Sequence, residues 1–462
     1  MSDRDAAGSS GGPAAGTLTV VTARARRWVL PLLAASVLVV ALYVVAWATE
    51  PAPRVLRADF LNAYLGGQIL RDGHGAQLYD LGLQAHIYRD LTAPNDYPLL
   101  AFYDTPSAAV MAVPFTAIGV GDAWRAFSLL QLGSLVAAAV IAMRAAPWPA
   151  RTPAVLRLTT VAVGVAGFST DVLFLQGQWS GLFALGVALG YRELRHGHEA
   201  WAAFWLLTPV LAVKPNLAIG VGAFLVGWGG WRVVRGAASG VAVVVATSLL
   251  VGGAGIFASF VHADMSSRSL WPMASMNGIT GITGRLLGDG NAADTIGFAA
   301  CLLLGSIAIP LGHRARSSGR LEPALTGAVA LGLLASPHLY LHDIAMLTPA
   351  AIWFMVWAYG RDAGESAMRA PRRFIAAIAG WIALNVAAGA QPIDYHEVPG
   401  RLVPWFLLAA AATAVVAQSR SKRSTSSTNT VAPPTSTSTG KGTMNSTASA
   451  PVGVGLICST RR

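Results

Sequence analysis

Charged side chains are scarce in this chain. Asp, Glu, Lys and Arg make up 12% of its 462 residues, roughly half their share in an ordinary soluble domain, which leaves too little polar surface to wrap a water-soluble fold. Cysteine is almost missing as well. Cys301, inside an apolar run, and Cys458, near the carboxyl end, cannot build a disulfide framework or a multi-cysteine metal site. No long basic tract with interleaved aromatics occurs, so the formal charge of +11 does not describe a nucleic-acid surface. An internal repeat of the kind carried by inverted-repeat transporters is missing too.

Apolar residues supply 54% of the chain. They gather into about twelve runs, near 28–47, 123–143, 155–175, 178–191, 200–213, 216–231, 236–253, 293–312, 322–337, 343–359, 374–390 and 402–417. Many approach the roughly 20 residues a helix needs to cross the hydrocarbon of a bilayer. The composition predicts an all-α, polytopic transmembrane bundle. Its first run, Trp28 to Trp47, follows Arg24, Arg26 and Arg27. It is too long for the core of a signal peptide and lacks a clear cleavage site, so a retained first span is expected, preceded by a cytoplasmic segment over 1–27.

Short loops rich in Lys and Arg stay in the cytoplasm. Here they are Arg144/Arg151/Arg157, Arg192/Arg195, Arg232/Arg235, Arg314/Arg316/Arg320, Arg369/Arg372/Arg373 and Arg420/Lys422/Arg423. They fall at every second connection, which places the alternate connections, and the long stretch 48–106, outside. Ser107 to Val120 is apolar, but a crossing there would invert every later loop. With Pro106 and Pro114 in or beside it, it is expected to dip into the membrane or lie along it, with a thirteenth crossing as the alternative. After about residue 418 the chain turns to Ser, Thr, Pro, Asn and Gly, a composition expected to stay disordered as a cytoplasmic tail. Its Asn445-Ser446-Thr447 triplet would accept a glycan only in a secretory pathway.

A loop as long as 48–106 usually carries function. Leu61, Tyr64, Leu65 and Ile69 share one helical stripe, which predicts a short helix on the outer interface ending near Gly73 to Gly75. Asp59 stands at its start, close to the membrane surface. A partly desolvated carboxylate there suits the base that removes a proton from a hydroxyl, and an Asp at that position also reads as a helix cap. Ser336-Pro337-His338-Leu339-Tyr340-Leu341-His342-Asp343 sets unusually dense polarity at an outer turn, where ionisable groups are expensive. It reads as active-site machinery, as the end of one helix and the start of the next, or as a metal site without a third strong ligand motif. Lys214-Pro215-Asn216 interrupts an apolar stretch, and the lysine suits an anion or snorkels to headgroups. Gln176-Gly177-Gln178-Trp179 suits sugar hydroxyls and sugar faces, or forms an ordinary turn with an interfacial Trp. The loop 254–292 holds Arg268, Trp271, Met276, Asn277 and Arg285, and a guanidinium there suits a phosphate. The charge count puts Asp59, Gln178, Lys214, Arg285, His338 and His342 on one side.

Ala58-Asp59-Phe60 through Tyr64, Gly67 and Leu78-Tyr79-Asp80, then Tyr97-Pro98, Pro114, Gln176-Gly177-Gln178, Lys214-Pro215-Asn216 and Ser336-Pro337-His338-Leu339-Tyr340 form an ordered set. Over residues 28–417 it resembles glycosyltransferase family 87. The resemblance implies a multi-spanning enzyme of the GT-C type, best known as mannosyltransferases using polyprenyl-phosphate-mannose in actinobacterial lipid and glycan assembly. It implies Asp59 as the catalytic acidic residue of the first exterior loop, the histidine hairpin as a second active-site position, and an inverting reaction that turns a β-linked donor into an α linkage. The chain departs from the family pattern at Asn216 and in the Leu99 to Asp104 stretch after Tyr97-Pro98.

The combined expectation is a hexosyltransferase of a plasma membrane, working on the exterior face without a cofactor or metal. Asp59, His338 and His342 are its expected catalytic residues. Lys214, Arg285, Gln178, Asn216 and Tyr64 are expected to hold donor phosphate and sugar, and the acceptor is a glycolipid or glycan. A secondary transporter or lipid translocase is the alternative.

Overall fold

The computed structural model describes residues 14–150, 152–267, 273–288, 290–365, 372–390 and 402–419. The carboxyl-terminal tail with Cys458 and Asn445, the amino-terminal residues before Ala14, and Arg268 and Trp271 lie outside the described residues. Among the described residues every regular element is helical, as the all-α expectation requires.

Among the described residues, five helices are long and apolar enough to cross a membrane: Arg27–Ala48, Val120–Ala145, Trp231–Gly252, Asn291–Ser318 and Leu341–Asp362. Ala154–Val165 and Phe168–Gln176 make a sixth if this pair, bent by 54°, is one broken span. Other apolar runs form shorter helices, among them Glu199–Leu211 and Leu321–Leu334, below the length that spans hydrocarbon. Several apolar helices thus mark a membrane protein, and the expected count of about twelve crossings goes beyond what length and apolarity establish. The runs are shortened by local chemistry. Gly177 adopts φ +63 after Phe168–Gln176, where a side chain would be strained, and Pro215 follows the turn that closes Glu199–Leu211.

Ser107 to Val120 contains the helix Pro106–Ala112 and the 3-10 turn Val113–Ala117. Pro106, Ser107, Ala108, Ala109 and Ala112 are buried, and Ala112 and Thr116 press on Gly67 of Phe60–Arg71. That segment packs inside the protein and is too short to cross. The helix predicted after Asp59 is Phe60–Arg71. Leu61, Tyr64, Leu65 and Ile69 are buried as the stripe requires, but so are Phe60, Ala63, Gly66 and Gly67. Protein therefore covers more than one face of it, and it is not simply laid on an interface.

Close approach of helices depends on small residues. Ile219–Trp228 and Ala308–Ser318 meet through Gly227 and Gly312, where any side chain would run into the carbonyls of Ile309 and Phe224 respectively. Three helices each bring one end to the site. Ser180–Arg195 begins at Ser180, Glu199–Leu211 leads into Lys214, and Leu321–Leu334 leads into Ser336. The opposite ends of the first and third also meet: Glu322 accepts from the Tyr191 hydroxyl at 3.0 Å and from Arg195 at 3.3 Å, while Trp353 Nε1, from Thr348–Glu365, donates to the Glu322 carbonyl at 3.1 Å. At about 1.5 Å per residue, the Arg192/Arg195 cluster sits a helix length away from Ser180. The ends joined at Glu322 are therefore distinct from the ends that carry the polar cluster described next.

Candidate active site

Asp59 occupies the N-cap position of Phe60–Arg71, yet its carboxylate makes no capping hydrogen bond. Its Oδ2 instead accepts from Gln178 Nε2 at 2.7 Å, and its backbone N–H donates to Gln176 Oε1 at 3.3 Å. Both amides of Gln176-Gly177-Gln178 thus grip one residue across more than a hundred positions of sequence. Gly177 permits this, because a Cβ there would stand 2.7 Å from Phe60 Cβ. Trp179 packs edge-on against Phe127 at 4.7 Å and anchors the turn. Burial pushes the Asp59 carboxyl above the usual carboxylate range, and Asp343 adds to this, while the Gln178 hydrogen bond and the Lys214 charge hold it back.

The turn runs straight into the second half of the site. Ser180 Oγ donates to Asp343 Oδ1 at 3.2 Å. The same oxygen accepts from Lys214 Nζ at 3.1 Å, and Oδ2 accepts from the Tyr340 N–H at 3.1 Å. Asp343 therefore does start its helical turn, and it also holds the lysine. Lys214 Nζ lies 2.9 Å from His342 Nε2 and 5.9 Å from the centre of the Tyr340 ring, which itself stacks on His342 at 5.6 Å. An ammonium only donates, so Nε2 accepts and the ring proton sits on Nδ1. Lys214 is turned inward, not snorkelling, with 16% of its side chain exposed. Two of its three N–H groups are occupied, which leaves one for an anion. That cation already stands between His342 and Asp343, where a metal would have to sit.

Asn216 Nδ2 donates to Ser336 Oγ at 2.7 Å, tying the lysine turn to the Ser-Pro-His hairpin. Asn277 N–H donates to the Leu339 carbonyl at 3.0 Å and Thr280 Oγ1 to the Pro337 carbonyl at 2.8 Å, so the 276–280 segment backs the same hairpin. His338 lines a small cavity of about 40 Å³ with Met273, Met276, Thr280 and Phe298. Arg285 donates to the carbonyls of Ala274 at 2.9 Å and Met276 at 3.4 Å, bracing that segment. The Tyr64 hydroxyl donates to the Ile118 carbonyl at 3.0 Å. Asp59, Gln178, Lys214 and His342 thus form one connected cluster with Asn216 at its edge, while His338 and Arg285 adjoin the segment behind the hairpin and Tyr64 serves a neighbouring contact.

Sequence reading left three residues near this cluster out of the expected site. Asp343 was visible only as the last letter of the hairpin, although it is the fully buried centre of the ion pair. Ser180 carried no signal. Asp104 closes the aberrant Leu99 to Asp104 stretch; the next residue, Thr105, bonds through N–H and hydroxyl to the carbonyls of Val213 and Ala212, just before Lys214. An acid ending an apolar run, ahead of Thr-Pro, was the available hint.

An all-helical membrane protein that pairs an inward lysine with a buried carboxylate, and holds a second, uncapped carboxylate on the adjoining turn, fits the class of membrane-embedded group transferases. Residues 102–337 match glycosyltransferase family 87, just over half of the 462 residues, and the chain belongs to that family of membrane glycosyltransferases. The matched stretch contains Asp104, Gln178, Lys214, Asn216 and Arg285; Asp59 precedes it and His338 and His342 follow it. No curated protein and no solved structure matches the chain.

Proposed function

We propose that this glycosyltransferase moves mannose from a β-linked polyprenyl phosphate to a hydroxyl of a glycolipid or glycan at the non-cytoplasmic face, with inversion to an α linkage. The observation that carries the reading is the state of Asp59: excused from capping, held through one oxygen by Gln178, with no described donor on the other. In the reaction the acceptor hydroxyl gives its proton to Asp59 as its oxygen attacks the anomeric carbon. The bond from that carbon to the phosphate oxygen breaks on the opposite face, and the electron pair leaves with the polyprenyl phosphate. The phosphate goes from one negative charge toward two, so the remaining N–H of Lys214 binds it more tightly as the bond breaks, which is what a catalytic interaction must do. His342 and Asp343 hold the ammonium in place. His338 and Arg285 orient donor or acceptor from the adjoining segment, Asn216 and Tyr64 shape the walls, and the prenyl chain lies between helices. Family membership and the missing internal repeat favour this reading over a transporter.

The direct test supplies isolated membranes containing the protein with labelled polyprenyl-phosphate mannose, and polyprenyl-phosphate glucose in parallel. Label should pass to a lipid or glycan from the mannosyl donor only. Passage from neither donor, with the protein present and folded, would reject the donor class.

A pH dependence follows. The base must be ionised, and Gln178 stabilises its ionised form, so Gln178→Leu raises the Asp59 carboxyl further. The acid limb of kcat/KM should therefore move to higher pH. An unmoved or lowered limb in the pH–rate profile would show that Asp59 is not the titrating base.

A further inference from the structure

Asp343 lies 3.1 Å from the Lys214 ammonium, Thr105 ties the backbone beside Asp104 to the carbonyls just ahead of that lysine, and Asp59 and Asp104 both feel the charges of the pair. Ionised together, the three carboxyls set three negative charges against one positive, before a donor phosphate brings another. A partly desolvated site cannot gather that much like charge without neutralising a group. Two of the acids are unsuited to take the proton. Asp343 has both oxygens committed, Oδ1 to Ser180 and Lys214 and Oδ2 to the Tyr340 N–H. Asp59 has to stay ionised to act as the base, and one of its oxygens accepts from Gln178.

Asp104 is different. Its backbone is fixed: the Tyr79 hydroxyl donates to its carbonyl at 2.7 Å, and Thr105 is bonded to the Ala212 and Val213 carbonyls next to Lys214. Its half-buried carboxyl receives no hydrogen bond from any described residue, so protonation breaks nothing. We infer that Asp104 is the proton store of this site: the donor phosphate enters beside Lys214 together with one proton, which Asp104 holds while the phosphate is bound. The inference rests on the donor reading above and deepens it. The charged groups that bear on Asp104 come from three other elements, Lys214 from the turn after Glu199–Leu211, Asp343 from Leu341–Leu347, and Asp59 from the start of Phe60–Arg71; Tyr79 and Tyr103 flank it. Burial, with Asp343 and Asp59, lifts its carboxyl to about 6 against the pull of Lys214. Ionised in the empty protein at neutral pH, it is then readily protonated when a further anion arrives.

The probe is farnesyl phosphoryl mannose, a phosphodiester whose single charge does not titrate near neutrality, bound to the purified full-length protein in detergent. Calorimetry at pH 7 in buffers of different protonation enthalpy should show uptake of a large fraction of one proton per ligand. The Kd should rise above pH 6, approaching tenfold per pH unit at full linkage. Asp104→Asn, a neutral mimic that keeps the backbone bonds, should bind with almost no proton uptake and a flat pH dependence. Binding by the wild-type protein without proton uptake would overturn the inference with no variant needed, as would undiminished uptake in Asp104→Asn. Absence of binding at every pH would instead overturn the donor assignment on which it rests.

Discussion

Asp59→Asn should reduce sugar transfer by about 10²- to 10⁴-fold, the range a positioned general base contributes, while leaving the protein folded. The substitution is nearly isosteric. Asn Oδ1 can still accept from Gln178 Nε2, the Asp59 N–H to Gln176 bond is a backbone contact, and no helix cap is lost because the carboxylate does not serve as one. What disappears is the second, unbonded oxygen as a proton acceptor. The measurement is label transfer from polyprenyl-phosphate mannose in isolated membranes, normalised to protein, beside thermal unfolding in detergent. Activity within a few-fold of wild type would end the proposal that this carboxylate is the base.

Lys214→Met should cost both stability and activity. Removing one partner of a buried ion pair leaves its counter-charge unsatisfied, at about 3–5 kcal/mol, and Asp343 is fully buried with the lysine at 3.1 Å. His342 Nε2 loses its donor at 2.9 Å in the same stroke. The combination Lys214→Met with Asp343→Asn should recover most of the lost unfolding temperature, because no charge is then stranded, yet recover none of the transfer. That split separates a structural cation from one that also binds phosphate. A double variant that regains activity along with stability would show that the lysine only supports the fold. The surviving activity of the single variant should also have its acid limb at higher pH, since Lys214 holds the Asp59 carboxyl down.

Different kinds of information decided different parts of this protein. The membrane class was legible in the sequence because burial in lipid is a bulk demand: runs of apolar residues with few charges satisfy it whatever their neighbours are. The helix after Asp59 was legible from its period, as Leu61, Tyr64, Leu65 and Ile69 fall on one face. The number of crossings was not, because composition does not tell a full span from two short helices broken at a turn, such as the 54° bend between Val165 and Phe168.

The site divides in the same way. Asp59, Gln178, Lys214 and His342 were visible singly, since an ionisable or amide group between apolar runs stands out against its surroundings. Sequence could not choose between Asp59 as cap and Asp59 as reactive acid, because both begin with an Asp ahead of a helix. Gln178, 119 positions away, removes the cap reading, because its amide holds the carboxylate away from the helix N-terminus. Nor could it give weight to Asp343 or Asp104: a carboxyl matters here through its distance from one ammonium, and that distance is set by helices that meet only after folding. The chain by itself determined that it is helical and belongs in lipid, because those properties are sums over local residues. Tertiary structure alone decided which acids surround Lys214, because charge acts through space and not along the chain.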